Sequence, residues 1–122
     1  MNRLSSIEVL GHDAQLTSGI SLTVRDSNSY DVLMREEIAD PSGVLYFSAG
    51  TTQVVGNLVF DGAGSTITLR SDSPGSQFTI EATTANVAWV DVMDGEATGA
   101  ASPFECSTSC VDSGNNTGWT FP

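Results

Sequence analysis

The chain has 122 residues, enough for one domain and close to the lower end of what buries a self-sufficient core. Four Arg, no Lys and 15 Asp and Glu leave a net charge of -11, which opposes nucleic-acid binding, where cations must displace phosphate counterions. No apolar run approaches the roughly 18 residues of a membrane-spanning helix, so the sequence offers no such helix.

The chain opens on Met1-Asn2-Arg3-Leu4-Ser5-Ser6, a charge with no apolar stretch behind it, so no export signal is visible. That leaves either a cytoplasmic or viral chain or a piece of a longer exported protein. Ile7, Val9 and Leu10 follow, then Gly11-His12-Asp13 and Leu16, with nothing that reads as a cap. Strand signals then dominate. Ile20–Val24, Val44–Phe47, Asn57–Phe60, Thr66–Leu69, Gln77–Ile80 and Val87–Val92 are short and rich in β-branched or aromatic residues. Turn formers separate them at Asp40-Pro-Ser-Gly43, Asp61-Gly-Ala-Gly64, Ser73-Pro-Gly75 and Asp94-Gly95. Tyr30–Ala39 reads differently: it holds helix formers and no Gly or Pro, so a short helix competes there with a strand through Asp31–Met34.

Strand starts at Ile20, Val44, Ile67 and Val87 lie 24, 23 and 20 residues apart, and Leu58 and Phe78 repeat after 20. Such spacing suits coils that stack strand on strand. The expected fold is therefore all-β: a right-handed parallel β-helix of about four coils, with an antiparallel β-sandwich as the alternative. The 122 residues read as one β domain, with coils and a C-terminal cap over 44–122 and a less regular part over 1–43. Alternation assigns Ile67, Leu69, Phe78, Ile80, Val90 and Val92 to the core and leaves Trp89 partly exposed.

All four Arg precede residue 71, and seven acids follow without a cation. A solvated acidic surface is the plain reading. Trp89 beside Asp91 and Asp94 is a possible glycan contact, because an aromatic ring stacks on a sugar and carboxylates accept its hydroxyls. Packing of Trp89 under the cysteine loop is the competing reading. Cys106 and Cys110 form a C-x3-C pair in a Ser/Thr-rich loop, where a small-loop disulfide is expected, with free thiols as the alternative. A closed zinc site wants four ligands, and the single His12 lies far away in sequence. Asp112–Gly118 lacks the alternating acids and final Glu of a calcium loop, and Asn115-Asn116-Thr117 is a formal glycosylation sequon.

The stretch Ile67–Ile80, with its Thr-Leu-Arg-Ser-Asp-Ser-Pro-Gly core, resembles a recurrent module of large bacterial secreted and cell-surface proteins. So do Asn86–Asp94 and the closing Asp112-Ser-Gly-Asn-Asn-Thr-Gly-Trp-Thr-Phe121. Phe78 stands where that module usually has Trp, and the Cys106–Cys110 segment replaces a short apolar strand. The resemblance implies coils and a terminal cap of a parallel β-helix at the cell surface, and no transferable active-site residue. Trp119 and Phe121 would cover the last coil.

No G-x-S-x-G, P-loop, G-x-G-x-x-G or H-E-x-x-H motif occurs. The expected role is a non-enzymatic structural or adhesive module of an extracellular surface protein or filament, with no cofactor. A virion component is the alternative location. A polysaccharide-binding module or polysaccharide-cleaving β-helix enzyme is the alternative function. The expected partner is a second copy of the chain, joined at the N-terminal end. Polysaccharide is a possible ligand.

Overall fold

The computed structural model describes residues 2–4, 13–16, 22–25, 27–36, 44–61, 66–106 and 108–121. Thirteen strands follow in chain order: β1 (Asn2–Leu4), β2 (Asp13–Leu16), β3 (Leu22–Val24), β4 (Asn28–Glu36), β5 (Val44–Phe47), β6 (Thr52–Asp61) and β7 (Ile67–Ser71) come first. Then come β8 (Phe78–Ala88), β9 (Val90–Val92), β10 (Gly95–Thr98), β11 (Phe104–Glu105), β12 (Val111–Asp112) and β13 (Trp119–Thr120). Of the two readings of Tyr30–Ala39, the strand through Asp31–Met34 holds in the described part, which ends at Glu36. Residues through Glu36 extend β4, whose pairing with β2 and β6 outweighs the local helix preference. Ile7, Val9, Leu10 and His12 lie outside the described residues, as do the turns at 40–43 and 62–64.

Every pairing among the described strands is parallel, which removes the antiparallel sandwich there. One sheet runs β1-β2-β4-β6-β8-β10, a second β12-β9-β7-β5-β3, and β11 pairs with β13. From β3 to β10 the chain alternates between the two larger sheets. Successive partners in the second sheet are Leu22 with Leu45, Val44 with Thr68, Ile67 with Val90, and Asp91 with Val111. Those steps are close to the 20–24-residue spacing of the apolar runs.

The two longest strands each bend once. Pairing of β6 with β8 runs from Thr52 to Val55, skips Gly56 opposite Thr83, and resumes at Asn57. The same skip falls at Asp31 of β4. Burial follows the bend: Gln53 and Val55 point inward before it, Leu58 and Phe60 after it. Ile80, Ala82 and Val87 do the same in β8. The inward phase shifts by one residue at the skip, so one strand lines two faces of the interior.

Both larger sheets feed one core, with Leu45, Phe47, Ile67, Leu69, Val90 and Val92 from the second sheet and Leu58, Phe60, Phe78 and Ile80 from the first. All ten are fully buried, so the six inward positions expected from alternation hold. Phe47 and Phe78 stack with centroids 4.9 Å apart. Register places like on like along the stack: Leu45, Leu69 and Val92 form one column.

Candidate functional site

The acids and the tryptophan singled out in the sequence lie around β9. The run Val87–Val92 is not one strand. Trp89 takes a left-handed backbone conformation (φ 57) and turns the chain from β8 into β9. Its amide donates to the Thr108 carbonyl at 2.9 Å, and its carbonyl accepts from the Ile67 amide at 2.8 Å. Val87 and Ala88 are consequently both buried, which strict alternation forbids. Trp89 itself is half-buried, and roughly 10 Å of strand separates it from Asp94 at the other end of β9.

Asp91 and Asp94 have different surroundings. Asp91 faces outward from β9 and pairs with Arg70 of β7 at 3.1 Å, the two side chains 25% and 22% exposed. The Arg70 guanidinium also donates to the carbonyls of Leu69 (2.8 Å) and Asp91 (2.9 Å), and the Ser113 hydroxyl donates to the Asp91 carboxylate. Asp94 is 1% exposed with φ 63. Its carboxylate accepts from the Asn115 amide at 2.7 Å and from the Gly75 backbone at 3.1 Å. Both acids are thus bound by the loop after β12. Asn116 of that loop donates to Asp112 (2.7 Å) and to the Val92 carbonyl (2.8 Å), and accepts from the Gly95 amide (2.9 Å). Asn115, the sequon asparagine, spends its amide on Asp94 and the Gly75 carbonyl.

The loop leads into β13. Trp119 and Phe121 are half-buried and pack against the core. The Trp119 ring meets Phe104 edge-on at 5.2 Å, and its indole N–H donates to the Gly95 carbonyl at 3.2 Å. Backbone bonds from Thr117 to Gly95, and from Ala97 to Thr117, cover the outer edge of β10. Cys106 and Cys110 form the expected disulfide, Cα atoms 6.1 Å apart. The Val90 amide donates to the Cys110 sulfur at 3.4 Å, so the cysteine loop is docked on the start of β9.

Asp72 is a carboxylate that sequence reading did not single out. The Ala49 amide donates to it at 2.9 Å and the Ser48 hydroxyl at 2.8 Å. These bonds, and then the field of Arg25, hold its carboxyl below the usual range. No group of three or more metal-ligating side chains occurs among the described residues.

An open cleft of about 510 Å³ lies beside the second half of β8, walled by residues 83–87 on one side and by Ala101, Ser102, Pro103 and Glu105 on the other. Neither Trp89, Asp91 nor Asp94 lines it. Periodicity could not have found it, because its far wall is a loop whose position is set by tertiary contacts. No family model, curated protein or solved structure matches the chain.

Proposed function

We propose that the chain is a non-enzymatic structural or adhesive module of an extracellular or cell-surface protein or filament. Its fold is read as a right-handed parallel β-helix of about four coils that associates with a second copy through its N-terminal end. The observation that carries the reading is the parallel, in-register stacking of successive strands, with the chain alternating between two sheets. The recurring bend at Asp31, Gly56 and Thr83 fits a corner repeated from coil to coil. Parallel crossovers are right-handed in about 98% of cases, which supports the hand. The likeness of 67–80, 86–94 and 112–121 to modules of bacterial surface proteins supports the location.

The two ends differ among the described residues. At the C-terminal end the outer edge of β10 is bonded to Thr117, and Trp119 packs on the core. At the other end β1 and β3 terminate their sheets with no described strand beyond them, as β12 does in the second sheet at the C-terminal end. An unpaired strand edge is a template for another strand. The disposition of the acids supports a passive role: Asp94 is buried and hydrogen-bonded, and Asp91 is paired with Arg70, so neither is poised as a glycosidase acid or base.

Sedimentation velocity across protein and salt concentration tests the association. At -11 per chain, repulsion opposes assembly, so dimers or longer species are expected to grow with salt. A strict monomer at high protein concentration, in low and high salt alike, sinks the proposal.

A further inference from the structure

The outer cleft has a chemistry of its own. β8 pairs with β10 only through Phe78–Glu81. The Ala101 amide then donates to the Ala82 carbonyl at 3.0 Å, and the next contact on that edge is the bridge from Val87 to Cys106. Between these two points, residues 83–86 have no ladder partner on that edge among the described residues. The chain leaves β8 after Ala101 and returns at the Val87–Cys106 bridge, which leaves the cleft of about 510 Å³ in between. Backbone polar groups of a strand that lack a ladder partner need water or a ligand.

Side chains add to this set. The side chains of Thr83, Asn86 and Glu105 are exposed, line the cleft and make no hydrogen bond or ion pair among the described residues. Ser102 donates its hydroxyl to the Ala97 carbonyl at 3.1 Å, which leaves its oxygen free to accept. Donors and acceptors of both kinds therefore converge: a carboxamide, a carboxylate, hydroxyls and strand backbone. Among the described residues no Lys, Arg or aromatic side chain lines the walls, so an anion finds no countercharge there and an apolar ring no stacking face. One carboxylate is too few for a dedicated calcium cage. The volume falls within the ordinary range of small-molecule sites, roughly 300–1,000 Å³.

We infer that this cleft binds a short neutral oligosaccharide, whose hydroxyls bridge the 83–86 strand edge, Asn86 and Glu105. A carbohydrate hydroxyl both donates and accepts, which matches the mixed lining, and a neutral ligand avoids repulsion from Glu105 and the acidic chain. The site goes beyond the self-associating role, since a monomer carries it as well as an assembly does. It is also distinct from the expected contact at Trp89, Asp91 and Asp94, none of which lines it. Binding by hydroxyl contacts without ring stacking is weak, with Kd in the millimolar range, about -4 kcal/mol.

Two-dimensional amide NMR of the 15N-labelled full chain tests this, with cellotetraose, maltotetraose, mannotetraose and chitotetraose added to about 20 mM. At least one is expected to move the amides of 83–86 and of Ala101, Ser102 and Glu105, saturating in the millimolar range. The double variant Asn86→Ala/Glu105→Gln is expected to weaken that binding about tenfold while its remaining spectrum stays unchanged. Both side chains are exposed, so the fold does not depend on them. No shift with any of the four sugars, shifts centred on Trp89, or binding indifferent to the double variant overturns the inference. So does a neutral peptide such as Gly-Thr-Val-Thr-Gly moving the same amides where no sugar does, because the cleft then takes a strand. The sedimentation experiment is independent: a chain that binds sugar yet never assembles keeps the cleft and loses the filament role.

Discussion

Backbone sites that accept only certain residues cluster in the C-terminal third. Gly118 has φ 78, and a Cβ there would collide with the Ala97 carbonyl oxygen, the same residue whose amide bonds to Thr117. Gly118→Ala is therefore expected to lower stability by at least about 1–2 kcal/mol in thermal or urea unfolding. Gly50→Ala is the control, because its φ is the same 78 but a Cβ there meets open space. Equal losses at the two positions would show that close packing against β10 contributes nothing. Asp72 tests charge at the same scale. Its pKa is depressed in the folded chain, first by the Ala49 amide, then by the Ser48 hydroxyl. A depressed carboxyl stabilises the fold above its unfolded pKa, and that stability disappears as pH falls through the folded value. Asp72→Asn is expected to melt below the parent at pH 7 and level with it near pH 2. A gap that persists undiminished at pH 2 would assign the effect to something other than the charge. The side chain is exposed, so the gap should be small.

At the scale of strands, the apolar runs and their spacing were legible because burial imposes them on the sequence. Val44–Phe47 and Val90–Val92 show the period-2 alternation of half-buried strands, and the structure buries the residues that alternation selects. Corners were not legible. The run Val87–Val92 reads as one strand, yet the chain turns at Trp89, where no Gly or Pro announces it. Likewise Gln53 is fully buried in β6 although polar, because the bend at Gly56 fixes the phase of the residues before it. Over the described part, through Glu36, the helical reading of Tyr30–Ala39 failed for the same reason: propensity is local, whereas β4 is held by neighbours on both sides. The candidate site fared worse. Its carboxylates at Asp91 and Asp94 were visible, but their partners Arg70, Ser113 and Asn115 lie 21 or 22 residues away and only coil-to-coil stacking brings them close. Strand stacking also predicts where truncation hurts most. Phe78 begins β8, is fully buried and stacks on Phe47. Phe78→Ala is expected to cost about 3–5 kcal/mol, read as a shift in the urea midpoint. Val54→Ala, on the exposed side of β6, should stay within about 0.5 kcal/mol. A loss at Phe78 no larger than at Val54 would contradict a packed core between the sheets.

Over the whole molecule, charge sets the terms on which the stack holds together. The net charge of -11 is carried by 122 residues, and after Arg70 no Lys or Arg balances the seven acids. Among the described residues, Asp72, Asp94 and Asp112 accept hydrogen bonds from backbone amides. Asp91 is paired with Arg70. Hydrogen bonds satisfy a carboxylate's lone pairs but leave its negative charge in place, so self-repulsion remains and favours the expanded chain. Screening length falls from about 30 Å at 0.01 M salt to about 8 Å at 0.15 M, so added salt relieves this repulsion within the monomer before any assembly begins. The melting temperature at micromolar protein is therefore expected to rise on going from 0.01 M to 0.15 M NaCl. A gain of about 1 kcal/mol corresponds to roughly 4 °C for a domain of this size. Magnesium chloride at matched ionic strength should give a similar rise, since no described cluster gathers three metal ligands. Arg70→Gln should steepen the salt dependence, because it removes a cation and leaves Asp91 unpaired. A melting temperature that is flat or falls with salt in the parent chain would mean that local pairing, not overall charge, governs this fold.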